Sequence, residues 1–341
     1  MQVQNEERSE LGVRVANLEV SEHRLDPEEE PELSRAMDRL KLAQSDDVPW
    51  DRSGVEGSLV NWAQGLLDVT FNIENRMVDE GFTKEELFGA VMAALAEIEE
   101  LCVELDGVWG RAPRREVRRE EQEQEQEQEQ EERGGGGQGG GHDGDVAAVG
   151  RLALPRSTET MKSWLGEGMA ECVHWRRGAL MYMRVATMAA DKEPIPRRML
   201  SEGLEHLELF LQARGGRMAQ GISEGEAEGD DGVREMVKAR ILGDTHLLAV
   251  VYAGEMCYWG CTSARPEGDA EVPAPALLLQ QLSPLEEGSA ALDESLLRRA
   301  GRAKLELYLR VVSIMTSDGG GGVGAGWDTG RAQSLLFLLE K

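Results

Sequence analysis

Apolar side chains recur every three or four residues in two stretches that a single glycine, Gly81, separates. This spacing places the side chains of each stretch along one face of an α-helix. The first stripe contains Leu59, Trp62, Leu66, Ile73 and Met77, and the second contains Leu87, Val91, Leu95, Ile98, Cys102 and Leu105. The sequence therefore predicts two amphipathic helices in succession.

The ends of both helices carry recognisable signals. Residues 53–56 (SGVE) and 83–86 (TKEE) each have capping-box spacing, in which a hydroxyl and a carboxylate satisfy free backbone amides. Gly81 and Gly107 are predicted to end the first and second helix, because glycine readily adopts the conformation that follows a helix. The short turn predicts an antiparallel hairpin over residues 53–110.

The second half of the chain has the same helical spacing. Aromatic residues make up only 5 % of the sequence, which disfavours strands. Long helices are predicted at about 157–190, 196–213, 233–261 and 290–315, with a closing helical turn at 334–339. The predicted fold class is all-α: an N-terminal hairpin and a bundle of about four long helices over residues 157–340.

Other segments have compositions that do not favour a packed core. Residues 1–50 hold thirteen acidic and six basic side chains and are predicted to be a mostly disordered acidic arm, in which 31–44 alone has the spacing of a short helix. Residues 111–150 combine Glu-Gln and glycine tracts and are predicted to be a linker. Flexible loops are expected near 214–232, 262–289 and 317–330.

The net charge of −27 bears on the partners of the chain. Such a surface repels phosphates, so direct nucleic-acid binding by the folded part is not expected. No apolar stretch has the length of a membrane span, and residues 1–12 contain no apolar signal-peptide core, so we expect neither a membrane protein nor a secreted protein. Four cysteines in helical stretches predict reduced thiols and a cytoplasmic location.

A cluster of arginines precedes the Glu-Gln tract. Its members are Arg111, Arg114, Arg115, Arg118 and Arg119. Such a cluster is a candidate nuclear import signal, and its alternative is a solvated linker whose arginines pair with neighbouring glutamates. The nucleus is therefore a second expected location.

Two short motifs match enzyme patterns by letters alone. Residues 319–324 match a dinucleotide-binding fingerprint and residues 221–225 match a nucleophile elbow. Both motifs function at strand-to-helix turns, which an all-helical chain does not offer. We predict no catalytic residue from them.

Some side chains in the second half have spacings that metal sites use. Glu171 and His174 have the spacing of bundle metalloproteins, but no second such pair exists, and His174 shares a predicted helix face with polar residues that indicates exposure to solvent. Cys257 and Cys261 form a single pair one turn apart. No metal and no cofactor is predicted.

A polar group lies within the most apolar predicted helix. Asp244, His246 and Glu255, with His206 of the preceding helix, are candidate ligand-pocket residues. The alternative is structural: a buried carboxylate needs a partner, and an arginine such as Arg176, Arg184 or Arg240 would supply one.

Large aromatic residues give the candidates for a protein interface. Trp164, Trp175 and Tyr182 fall on the first long helix of the predicted bundle, where they either pack in the core or anchor a partner.

These observations favour a non-catalytic adaptor or subunit of a multiprotein complex, with other proteins as partners. Two alternatives remain. One is a helical enzyme or ligand-binding protein that uses the polar group with Cys257, and the other is a nuclear regulator with an acidic arm.

Overall fold

The computed structural model describes residues 52–82, 84–109, 154–213, 234, 243–263, 272–275, 278, 292–317 and 327–341. Within these residues the regular structure consists of eight α-helices. They are α1 Arg52–Asp79, α2 Glu85–Trp109, α3 Arg156–Leu165, α4 Glu167–Asp191, α5 Arg197–Ala213, α6 Asp244–Thr262, α7 Glu294–Ser317 and α8 Thr329–Leu339. The predicted all-α class is confirmed.

Helices α1 and α2 form the predicted hairpin. Gly81 and Phe82 both adopt positive φ in the turn, and the amide of Phe82 donates to the carbonyl of Met77 over 2.8 Å. The buried side chains of both predicted stripes meet in the core. Gly107 does not end α2, which continues to Trp109, because one glycine in the last turns of a helix costs only about 1 kcal/mol.

The first long helix predicted for the bundle is two helices, α3 and α4. Gly166 separates them with φ of +81°, a conformation that breaks the helical hydrogen-bond ladder. Because the helical backbone ends at Gly166, residues on its two sides do not follow one continuous helical register.

The helices of the bundle approach closely where one of them carries a glycine. A Cβ atom at Gly254 of α6 would lie 2.8 Å from the side chain of Leu305, and one at Gly301 of α7 would lie 2.9 Å from Cys257. Helix α8 is longer than the predicted closing turn, and Asp328 caps it by accepting from the amide of Arg331. Its Leu339 is buried beside Gly301.

The hairpin packs against the bundle through arginines of α4. Arg177 donates to Glu99 of α2 over 2.7 Å, and Arg184 donates to the carbonyl of Phe82 over 2.9 Å in the hairpin turn. Both contacts connect residues that are about 80 to 100 positions apart in the chain. Every helix in the described ranges is too short or too polar to cross a bilayer.

Candidate protein-interaction surface

A groove of about 900 Å³ separates α1 from the end of α3 and the first half of α4. Its apolar lining consists of Leu67, Phe71, Leu165, Met169, Cys172 and Trp175. Residues of α1 enter the groove at three- and four-residue steps, so one face of that helix forms a wall. Phe71 is 53 % exposed, although most apolar side chains of α1 are buried. We call this feature the α1–α4 groove.

Arg176 of α4 lies at the base of the α1–α4 groove and ties its two walls together. Its guanidinium donates to Glu74, to the hydroxyl of Thr70 over 2.8 Å and to the carbonyl of Leu67 over 2.6 Å, all on α1. Burial raises the pKa of the Glu74 carboxyl, and the charge of Arg176 opposes that rise. The arginine therefore fixes the spacing of the walls and neutralises the buried carboxylate.

A row of partly exposed aromatic rings continues from the groove across α4 and α6. Trp175 stacks on Tyr252 with ring centroids 5.9 Å apart, and Tyr252 stacks on Tyr182 at 3.7 Å. Trp259 contacts Tyr182 at 5.5 Å. We call these four residues the aromatic row. Stacked rings have little side-chain freedom, so the row offers a rigid surface.

Glu255 lies beneath the aromatic row and connects three helices. Its carboxylate accepts from the hydroxyl of Tyr182 over 2.8 Å and from Arg331 of α8 over 2.7 Å. Burial and the neighbouring Glu255 both raise the pKa of the Tyr182 hydroxyl, with burial the larger cause. The sequence predicted an arginine partner for Glu255, but named Arg176, Arg184 and Arg240. The partner is Arg331, and Arg240 lies outside the described residues.

A second polar cluster lies in the core between α3, α4 and α5. The Nδ1 atoms of His174 and His206 are 3.2 Å apart, and Nε2 of His174 is 3.1 Å from the hydroxyl of Thr158. Burial lowers the pKa of both rings, that of His174 to about 3. The two rings are therefore neutral near pH 7 and hydrogen-bonded to each other.

The prediction that His174 faces solvent is wrong. Its side chain is fully buried, as is nearly all of Glu171. The prediction assumed one continuous helix from residue 157, in which Ser163 and His174 share a face. The break at Gly166 separates Ser163 from this face, whereas Glu171 and Arg177 stay on it in α4. The face is buried because Thr158 of α3 and His206 of α5 contact His174.

The four predicted pocket residues have different surroundings. His206 pairs with His174, whereas His246 stacks on Phe210 at 4.6 Å. Asp244 is exposed in the first turn of α6, and Glu255 accepts a hydrogen bond from the hydroxyl of Tyr182. Phe210, the ring that His246 contacts, lies one turn after His206 on α5. Their role as a ligand pocket stays a prediction.

The three aromatic residues predicted as interface candidates differ in their exposure to solvent. Trp164 is 2 % exposed and packs in the core, while Trp175 and Tyr182 are partly exposed members of the aromatic row. The arginine cluster (Arg111, Arg114, Arg115, Arg118 and Arg119), the acidic arm and the two glycine motifs lie outside the described residues.

The candidate surface also contains four residues that the sequence patterns do not predict, namely Phe71, Tyr252, Trp259 and Arg331. Phe71 carried a usable signal, because it is an aromatic residue between Asp68 and Asn72 on the polar side of a predicted helix. The other three become significant only through contacts between helices distant in sequence. Among the described side chains, no three or more His, Cys, Asp or Glu residues are arranged to hold a metal ion.

The helical architecture, the open apolar groove and the rigid aromatic row together define a class, the helical protein-interaction subunit. Residues 154–339, which include α3 to α8, match the sequence profile of a family described as RAB7A-interacting MON1-CCZ1 complex subunit 1. This match covers more than half of the chain, and the chain belongs to that family. Membership confirms the predicted class of complex subunit.

Curated relatives with the same name show the extent of the similarity. The Homo sapiens protein is 37 % identical over 112 residues, which are 30 % of this chain and 37 % of the relative. The Danio rerio protein is 27 % identical over 237 residues, which are 66 % of this chain and 65 % of the relative. The matches thus span less than two thirds of each relative. No solved structure matches the chain.

Proposed function

We propose that this chain is a non-catalytic subunit of a MON1-CCZ1 complex and that it contacts RAB7A, as the names of its relatives state for those proteins. The single observation that carries the proposal is the family match over residues 154–339. That region holds six of the eight described helices, including both helices of the aromatic row.

We further propose that the α1–α4 groove and the aromatic row form the surface that a protein partner contacts. Tyr, Trp and Phe side chains supply most of the binding energy at protein interfaces, because they bury a large area with few rotatable bonds. This chain contains only five phenylalanines and four tyrosines, and three of these nine residues lie on that surface. Phe71 exposes half of its side chain there.

The non-catalytic part of the proposal rests on how the polar side chains are engaged. Glu255 is held by Tyr182 and Arg331, and His174 is held by His206 and Thr158. A general base must face a substrate with a pKa near the working pH. His174 is fully buried and has a pKa of about 3, so it does not meet that requirement.

Co-purification tests this proposal. The tagged full chain is expressed in cells of its own organism, and the eluate is probed for MON1, CCZ1 and RAB7A. We expect all three with the wild-type chain and a loss of at least one with Phe71→Ala. Val78→Ala is the matched control, because Val78 lies on the same helix, is 54 % exposed and does not line the groove.

Two results would contradict the proposal. Absence of all three proteins from the wild-type eluate would remove the assignment to the complex. Equal losses with Phe71→Ala and Val78→Ala would remove the groove from the contact surface while leaving the assignment intact.

A further inference from the structure

The α1–α4 groove has the dimensions of a site for one helix. Its α1 wall runs from Gln64 to Glu74, roughly 15 Å or three helical turns at about 1.5 Å per residue. Its apolar side chains lie on both walls, with Leu67 and Phe71 facing Met169 and Trp175. Apolar anchors one turn apart on a ligand helix match such a spacing.

The backbone requirements of a ligand also favour a helix. An extended peptide needs hydrogen bonds from its partner, which a sheet edge would supply. Both walls of this groove are helices, whose backbone groups already bond within each helix. A helical ligand satisfies its own backbone, so it enters the groove without leaving buried amides unpaired.

The charges around the groove indicate what lies beside the apolar face of that ligand. Three charged side chains line the groove: Glu74 and Arg176 form an ion pair in which the two charges offset each other, and Asp68 adds a further carboxylate. The guanidinium is 9 % exposed and directs its donors to Glu74, Thr70 and Leu67. A ligand therefore meets little positive charge, on a chain whose net charge is −27. Basic flanks are attracted to this surface and acidic flanks are repelled.

We propose that the α1–α4 groove receives one amphipathic helix of a partner protein, with Lys or Arg beside its apolar face. This inference rests on the proposed function, because it names the kind of partner element that the same surface binds. One wall, α1, lies outside residues 154–339, so the site combines the family region with the hairpin.

Two cysteines allow the proposal to be tested on the purified full chain. Both Cys172 and Cys261 are partly exposed. Cys172 lines the groove, whereas Cys261 lies on α6 beside the carbonyl of Glu294, away from the groove lining. Burial raises the pKa of both thiols, so both react slowly with an alkylating reagent. Mass spectrometry of the peptides gives the two rates in one sample, and Cys261 is the internal control.

The probes are three synthetic peptides of about 18 residues, or five helical turns. All three contain the same leucines. The first has them on one helical face with lysine flanks, the second has the same face with glutamate flanks, and the third is a scrambled form of the first. We expect the first peptide to slow alkylation of Cys172 by about fivefold or more and to leave Cys261 unchanged, since occlusion of a thiol blocks the reagent. Phe71→Ala weakens that protection and Val78→Ala does not.

Several results would overturn the proposal. They are equal protection by the lysine and glutamate peptides, equal protection by the scrambled peptide, or equal slowing at both cysteines. If alkylation of Cys172 became slower at higher protein concentration in the absence of peptide, the occupant of the groove would be a second copy of the chain. Stronger protection by a peptide of residues 31–44 than by the lysine peptide would indicate an occupant from this chain. Because these assays contain no MON1, CCZ1 or RAB7A, their failure is distinct from failure of the co-purification.

Discussion

Arg331 of α8 and Glu255 of α6 form a two-pronged ion pair. Nε of Arg331 lies 2.6 Å from Oε1 of Glu255, and Nη2 lies 2.7 Å from Oε2. The carboxylate is 4 % exposed and the guanidinium is 54 % exposed, so the pair closes the bundle at the boundary between core and solvent. Through Tyr182 the same carboxylate holds one end of the aromatic row. The position of α8 is therefore linked to the order of that surface.

Arg331→Ala is expected to lower the free energy of unfolding by about 1–3 kcal/mol. Loss of one partner from a buried pair leaves an uncompensated charge, and exposure of the guanidinium reduces that cost. Urea denaturation measures the change, and hydrogen exchange shows whether α8 opens first.

Arg302→Ala is the control for this variant. Arg302 also forms an ion pair at the end of α8, with Glu340 at 3.7 Å, but both side chains are about half exposed. Its loss is expected to change stability by less than about 0.5 kcal/mol. Similar losses for the two variants would contradict the role given to Glu255.

The part of the fold that periodicity determines was predictable. The stripes of α1 and α2 repeat along single helices, and burial follows directly from such repeats. The sequence does not reveal the break between α3 and α4, because residues 157–190 are rich in helix-forming residues on both sides of Gly166 and an isolated glycine is tolerated in many helices. The exposure predicted for His174 followed from polar neighbours at helical spacing, such as Glu171 and Arg177, but α5 covers that face of α4.

The candidate surface was predictable only in part. Trp175 and Tyr182 were predictable as interface candidates because large aromatic residues supply much of the binding energy at protein interfaces, although the same reasoning also selected the buried Trp164. Their ring partners and the α1 wall come from helices about 70 to 100 residues away, and no local pattern encodes such contacts. Arg331 was missed for the same reason, although the need of Glu255 for a cation was evident.

The histidine pair makes stability depend on pH. The folded-state pKa of His174 is about 3, well below an ordinary value of 6.5, so the folded state binds fewer protons than the unfolded state. Stability is therefore full above pH 6.5 and falls as the pH decreases from there toward 3. Between pH 7.5 and 5, His174 is expected to contribute a loss of about 2 kcal/mol.

His174→Gln removes this titrating group and is expected to reduce the loss on acidification while lowering stability at pH 7.5. Urea denaturation at pH 7.5, 6.5, 5.5 and 5 gives both quantities. An unchanged pH profile in the variant would contradict the assignment.

Lys304 of α7 and Glu208 of α5 form an ion pair in which both side chains are buried, with Nζ 2.6 Å from Oε1 and exposures of 5 % and 0 %. Lys304→Met is expected to destabilise the chain by about 3–5 kcal/mol, because it leaves a carboxylate in the core. Lys304→Met combined with Glu208→Leu is expected to regain most of that loss. Chemical denaturation of the two single variants and the double variant gives the coupling energy, and additive losses would show that the pair acts independently.

Two glycine substitutions are expected to have opposite effects on stability. A Cβ at Gly301 would meet Cys257 and Leu339 at 2.9 Å, so Gly301→Ala forces α7 away from α6 and α8 and costs about 1–3 kcal/mol. Gly89 is exposed within α2 and has open space around it, so Gly89→Ala stabilises that helix by about 0.5–1 kcal/mol. Thermal denaturation of both variants at one pH tests the two expected changes in stability. Stabilisation by Gly301→Ala would mean that α6 and α7 pack less closely than their contacts indicate.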